Sequence, residues 1–198
     1  LRPKTTYFTS DCAVNIAPEA EDLAEIALLA AGMVRSLGIE PRVAMLSFSN
    51  YGGSEHPLAR KVRRATAIAR ERAPDLVVDG EIQLFTALDE ATRGHYFPHS
   101  ELHQNANVLV FPDLQSGTLA LHLLQKVGDA VAVGPLLTGT RRPFHILQHG
   151  SSAEDVVNVA ALAVVQAAEE KKLREVEPRP GSGPDAAPRR AAGPDRGR

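Results

Sequence analysis

Short, almost unbroken apolar runs alternate with segments of helical spacing along most of this 198-residue chain. Val43, Ala44, Met45 and Leu46 form one such run, Leu76, Val77 and Val78 another, and Asn107 to Phe111 a third. Strands that are apolar throughout, not alternately, fit a sheet covered on both faces. Two further runs, Ala130 to Val133 and Pro143 to Leu147, and a β-branched and aromatic opening from Thr5 to Thr9, bring the expected strands to six. Helices between strands of this kind specify an α/β fold, a doubly wound and mostly parallel sheet.

The helices carry their own punctuation. From Glu19 to Leu37, Leu23, Ile26, Ala27, Ala30, Met33, Val34 and Leu37 recur at three and four, with acids early and Gly38 placed as the C′ residue. Pro57 suits a first helical turn, and the basic-faced helix that follows ends at Pro74. The run Leu76 to Val78 turns at Asp79-Gly80, and residues 80–93 read as one helix. Asp113 caps a helix whose apolar face, Leu114 to Leu124, can serve either core or interface, core being the safer reading. A capping box, Ser151 with Glu154, opens a last helix from Ala153 to Lys172.

Composition removes several classes. Hydrophobic content of 43% and charged content of 23% are globular values. The net charge of -2 gives no bulk attraction to nucleic acid or to anionic membrane. The single cysteine, Cys12, excludes an internal disulfide framework, reads as a small core residue and fits a cytoplasmic location. No apolar run is long enough to span a bilayer, and the first residues lack the features of a signal peptide. The leucine start suggests a fragment of a longer protein. Beyond Glu177, residues dense in Pro, Gly, Ala and Arg are expected to form a disordered tail.

The candidate chemistry lies at strand ends. After Leu46 come Ser47, Ser49, Asn50, Gly52, Gly53 and Ser54, hydroxyls, an amide and glycines suited to holding a phosphate before a helix N-terminus. The same composition serves an ordinary βα connection, and both readings stand at this point. Arg60, Lys61, Arg63 and Arg64 are within sequence reach of an anion there, or form a solvated helix face. Polar or glycine-rich clusters follow the other strands at 79–83, 113–118, 134–139 and 148–152. In an open α/β sheet such ends share one crevice, which points to an anionic ligand. No G-K-[ST] loop and no G-x-G-x-x-G follows a strand, and HSELH at 99–103 lacks the zinc-protease order, so no metal site is assigned.

The stretches RVAMLSFSNYGGSE, VDGEIQLFTAL, ANVLVFPDLQSGTL, VGPLLTGTRRPFHIL and HGSSAEDVVNVAALAV, in this order and spacing, resemble the phosphate acetyl/butyryl transferase family. The opening SDCAVNIAPEAEDLAEIALLAAGMVRSLGIEPRVAMLSFSNYGGS is similar to the phosphotransacetylase-like C-terminal domain of bacterial multidomain malic enzymes. This resemblance implies a two-lobed architecture like that of isocitrate dehydrogenases, with coenzyme A and acyl phosphate meeting in the cleft. Residues 1–142 would form the second lobe, 143–176 would return to a first lobe not present here, and 177–198 would be the tail. It also implies a ligand cleft lined by Ser47, Ser49, Asn50, Gly52, Ser54, Gly134, Pro135, Gly139, His149, Gly150 and Asp155, the last near the coenzyme thiol.

Departures from the family pattern matter as much. Where transferases carry Ser-Arg-Gly, this chain has Gln148, His149 and Gly150, and the aspartate after the GELQ-type motif is Phe85. Gly117-Thr118-Leu119-Ala120-Leu121-His122 replaces Gly-Asn-x-x-Tyr-Lys. A titratable imidazole is a poorer phosphate partner than the fixed fork of an arginine. The resemblance therefore implies a regulatory and oligomerisation domain that senses acetyl-CoA. NADP, a divalent metal and oxidative decarboxylation of malate would belong to an upstream domain of the same polypeptide, and the assembly would be a homo-oligomer. The alternatives are an active phosphate acyltransferase, with Asp155 orienting or deprotonating the thiol, and a purely structural dimerisation module.

Overall fold

The computed structural model describes residues 5–140, 142–147 and 149–176. The tail expected at 177–198, and Gln148, lie outside the described residues. Four strands, β1 (Phe8–Ser10), β2 (Arg42–Leu46), β3 (Val77–Ile82) and β4 (Val108–Val110), form one parallel sheet in the order β1-β4-β2-β3. Val43 pairs with Val78 on one side and with Val108 on the other. The chain steps from β2 outward to β3, then returns past β2 to β4. In open α/β sheets, ligands bind outside the carboxyl ends of the strands beside such a reversal.

Successive strand residues point to opposite faces, so β2 feeds two cores. Val43 and Met45 join α1 (Ala20–Ser36) and α2 (Pro57–Arg72), whose Leu23, Ala27, Val34, Val62 and Ala65 are buried on that face. Ala44 and Leu46 join Ile82, Ala87, Leu102, Leu109 and Phe111 on the other. Small residues on α1 and α2 let the helices lie close to each other and to the sheet. Helix α1 opens on a reciprocal cap between Glu19 and Asp22 and stops at Gly38, whose φ is +73°. His56 caps α2 by accepting the Leu58 N–H at Nδ1, with Pro57 at the first position.

Four expectations are corrected. The strand from Val77 does not turn at Asp79-Gly80 but continues through it to Ile82, with a register shift opposite Met45 and Leu46. Gly80 makes this possible: at φ +151° a Cβ would lie 2.7 Å from Met45, so only glycine lets β2 and β3 approach. The single helix expected over 80–93 is two, α3 (Leu84–Ala87) and α4 (Glu90–Tyr96), because Asp89 caps the second by accepting the Thr92 N–H. The runs Ala130 to Val133 and Pro143 to Leu147 form no strand. A strand exists through a partner edge, and no described segment supplies one to either run.

The fourth correction concerns α5 (Leu114–Val127) and α6 (Ala153–Val176). Asp113 caps α5 as expected, donating nothing and accepting the Ser116 N–H at 2.8 Å. Its leucines are not core, since Leu119, Leu123 and Leu124 are exposed. The box at the start of α6 is built from Ser152 and Asp155, one residue beyond the expected pair: Ser152 donates N–H and O–H to the carboxylate, and its Oγ accepts the Asp155 N–H.

Candidate functional site

The loop after β2 is built around a buried carboxylate. Glu81 Oε1 accepts the Ser49 hydroxyl at 3.0 Å and the Gly52 N–H at 2.8 Å. Its Oε2 accepts Arg63 Nε at 2.9 Å, from a side chain one turn and a half into α2. Arg63 also donates to the Ser54 carbonyl and to Glu55. Burial pushes the Glu81 carboxyl up, but the donors of Arg63, Gly52 and Ser49 outweigh it and hold it below the ordinary 4.5. Of the groups that suggested an external anion, the Ser49 hydroxyl and the Gly52 N–H thus converge on one the chain carries itself.

The rest of the loop is fastened to the end of β3. Asn50 Oδ1 accepts the Gln83 N–H at 2.7 Å, and Gln83 Nε2 donates to the Phe48 carbonyl at 2.6 Å. The Ser47 N–H is taken by the Ile82 carbonyl, the Ser47 hydroxyl accepts the Ser49 N–H, and Ser54 Oγ accepts the His56 N–H. An open depression of about 460 Å³ remains above these groups, lined by Phe48, Ser49, Asn50, Gly53, Ser54, Gln83 and Phe97. Exposed Phe48 meets His56 edge-on at its rim.

Tyr51 holds the loop from below. Its φ of +43° is unusual for a bulky residue, and the surroundings over-determine it. The Tyr51 N–H donates to the Glu81 carbonyl, the ring packs against Phe97 and His99, and the hydroxyl lies 2.8 Å from both Asp79 Oδ2 and Ser100 Oγ. Asp79 is buried and also accepts from Arg70, Ser100 Oγ and the Glu101 N–H. Burial, reinforced by the neighbouring Asp79 charge, raises the Tyr51 phenol above its usual value, so it stays a neutral donor. Changing Tyr51→Phe is expected to lower stability by about 1.5 to 3 kcal/mol, the value of a buried hydrogen bond to a charged group. A urea midpoint unchanged from wild type would contradict this reading of Tyr51.

Most basic residues of α2 are committed to the fold. Lys61 donates to the carbonyls of Pro18 and Pro112, tying the loop after β1 to the end of β4. Arg64 pairs with Glu21 across α1 and α2, and Arg60 is exposed. The ends of β1 and β4 meet through α5, where Thr118 Oγ1 donates to the Cys12 carbonyl and a Cβ on Gly117 would lie 2.6 Å from the Asp11 carbonyl. Asp11 accepts the N–H groups of Ala13, Val14 and Asn15. Half-buried Cys12 packs against the second core, and burial raises its thiol above the ordinary value.

The later candidates sit with α1 and α6. Gly134 and Pro135 share a cis peptide bond, and Gly139, at φ +78°, lies where a Cβ would be 3.1 Å from Leu29 of α1. His145 Nδ1 accepts the Leu137 N–H, and its Nε2 lies 2.7 Å from Gln166 Oε1 of α6. His149 is exposed and Gly150, at φ +91°, makes the turn into α6. Ser152 holds Asp155 below the ordinary carboxylate value through its N–H and O–H, which makes Asp155 a weaker base. Phe85 is 67% exposed beside a second hollow of about 570 Å³ with Leu84, Leu88, Asp89, Glu90 and Asn105.

The phosphate acetyl/butaryl transferase family matches residues 1–164. The chain belongs to that family. The NADP-dependent malic enzyme of Escherichia coli strain K12 is 46% identical over 168 residues, covering 84% of this chain and 22% of that protein. The phosphate acetyltransferase of Bacillus subtilis strain 168 is 43% identical over 166 residues, covering 84% of this chain and 51% of that protein. Among solved structures, the EutD phosphotransacetylase from Staphylococcus aureus superposes with a TM-score of 0.80 at 35% identity, over 84% of this chain and 52% of that one. A phosphotransacetylase from Streptococcus pyogenes gives 0.79 at 44% identity, over 82% and 50%. The chain thus spans about half the length of these transferases and 22% of the malic enzyme.

Within this phosphotransacetylase-like domain, sequence reasoning located the loop and missed what orders it. Glu81 and Asp79 lie in a stretch whose Asp-Gly pair reads as a turn, and their burial follows from β3 continuing through it. Arg93 also went unnoticed. It is 1% exposed and donates to the carbonyls of Thr86, Ala87, Leu102 and Gln104, so it fastens α4 to the segment before β4. The available sequence signal was an arginine inside a helix short of apolar residues, which usually marks a solvated face.

Proposed function

We propose that this phosphotransacetylase-like domain is the C-terminal regulatory and oligomerisation part of an NADP-dependent malic enzyme, and that it senses acetyl-CoA or a related acyl metabolite. NADP, the divalent metal and malate chemistry belong to the upstream part of that polypeptide. Residues 143–176 extend toward the complementary lobe, an assignment supported by the apolar side chains Phe144, Ile146, Val157 and Val164 left exposed there. The observation that supports the regulatory reading is the pair of departures from the transferase pattern, exposed Phe85 at the aspartate position and exposed His149 at the arginine position. Acyl transfer to phosphate depends on preorganised positive charge at the phosphate, and His149 at the arginine position supplies less of it. Ligand binding would act by differing affinity for two arrangements of the lobes.

In the full-length parent protein, acetyl-CoA is expected to bind by calorimetry and to change the rate of malate oxidation. Neither binding nor any kinetic response would refute the sensing role. The alternative, a phosphate acyltransferase, is favoured by the 43% identity to the Bacillus subtilis phosphate acetyltransferase. It predicts acetyl phosphate formation from acetyl-CoA and phosphate, lost on changing Asp155→Asn. Robust turnover of that kind would replace the regulatory reading.

A further inference from the structure

Helix α6 has little apolar hold on the rest of the domain. Among its described side chains only Val159 is buried, and Val157 and Val164 are exposed. A polar relay with His145 at its centre ties it to α1. The Leu137 N–H donates to His145 Nδ1 at 3.2 Å, His145 Nε2 lies 2.7 Å from Gln166 Oε1, and Gln166 Nε2 donates to Met33 Sδ of α1. Gly139, two residues beyond Leu137, lies so close to α1 that a Cβ would come within 3.1 Å of Leu29. The relay therefore pins both α6 and residues 134–140 against one helix.

The partners fix where the protons are. A thioether sulfur has no hydrogen to give, so Gln166 presents its amide nitrogen to Met33 and its oxygen to the ring. That oxygen only accepts, so Nε2 carries the imidazole proton, and Nδ1, which accepts the Leu137 N–H, carries none. A second proton on the ring sets an N–H at Nδ1 against the Leu137 N–H, and the relay has no arrangement that satisfies both.

We propose that His145 is a pH-sensitive latch, holding α6 and residues 134–140 on α1 while its imidazole is neutral and releasing them when it is protonated. The ring is half-buried, within reach of water, and histidine is the side chain type that ordinarily changes charge between pH 5 and 8. The released form binds one proton more than the latched form, so the latched share falls as pH falls. Charged residues stand near the ring on two of the three elements that meet there. Arg142, exposed, precedes it by three places, and Glu169 and Glu170 follow Gln166 by three and four places on α6. On α1 the positions one turn from Met33 are Leu29, Ala30, Ser36 and Leu37, none of them charged.

Nitrogen-15 spectra of the histidine rings in the whole chain are expected to show His145 at pH 8 as the neutral form protonated at Nε2. Amide exchange, corrected for its intrinsic pH dependence, should be roughly tenfold faster at Leu137 and over residues 159–166 at pH 5.5 than at pH 8, the effect of one stranded donor. His145→Asn places an uncharged acceptor near the Nδ1 position and should leave both sites indifferent to pH, although Glu169 and Glu170 remain. His145→Phe offers no acceptor and should exchange at pH 8 as wild type does at pH 5.5. A ring protonated at Nδ1 at pH 8, equal wild-type protection at the two pH values, a pH response that survives in His145→Asn, or full protection of His145→Phe at pH 8 would each overturn the proposal. None of these measurements involves acetyl-CoA, so failure of the latch and failure of the sensing role are distinguishable.

Discussion

Changing Arg93→Met is expected to remove about 3 to 5 kcal/mol of stability, because buried main-chain carbonyls lose their donor. Its guanidinium reaches four main-chain carbonyls, at 2.8 Å to Leu102, 2.9 Å to Thr86, 3.2 Å to Ala87 and 2.7 Å to Gln104. Ala87 keeps a second donor, the Ala106 N–H, so the sharpest losses fall on Thr86 and Leu102. Each buried carbonyl left without a donor costs about 1 to 3 kcal/mol. For a domain whose whole stability is about 5 to 15 kcal/mol, that is a large fraction. Arg93→Lys should recover only part, because one ammonium cannot fork across four acceptors. Urea unfolding followed by circular dichroism decides it: a loss under about 1 kcal/mol for Arg93→Met would show that water replaces the guanidinium and that the site is not sealed.

Arg93 also shows where sequence reading stops. The elements that depend on local pattern were legible: β2 from its unbroken apolar run, α1 from its spacing and Gly38, α2 from Pro57. Those that depend on a partner were not. Pro143 to Leu147 has strand composition, yet its backbone groups find no adjacent edge among the described residues, and without an edge composition alone makes no strand. The leucines of α5 read as core because sequence cannot tell a face covered by the same lobe from one awaiting another surface. For the loop from Ser47 to Ser54, residue types announced a set of donors, but their direction depended on Glu81. A buried acid in a strand is invisible until the strand's register with β2 is known.

Glu81→Gln should cost about 2 to 3 kcal/mol near neutral pH, and this cost should disappear in acid. The substitution keeps shape, and the amide oxygen can still accept from Ser49 and Gly52. The amide nitrogen, however, now faces the donors of Arg63 where Oε2 accepted at 2.9 Å, and a charge-assisted bond of about 1.5 to 3 kcal/mol is lost. The sign of the pH dependence follows from the lowered Glu81 pKa. Above the unfolded value, about 4.5, the folded carboxylate contributes its full stability; as pH falls through the lower folded value it takes up a proton and that contribution is lost. Protonated wild type and the amide variant are then nearly equivalent at this position. Unfolding curves for the two proteins should separate at pH 7 and converge as the acid transition is approached. Amide exchange should speed up at Gly52 and its neighbours in the variant, since Glu81 is what orders the loop. A gap between the two proteins as wide at pH 3 as at pH 7 would mean that the lost stability arises from packing and not from charge, and the loop would then owe its shape to Tyr51 and Asn50 alone.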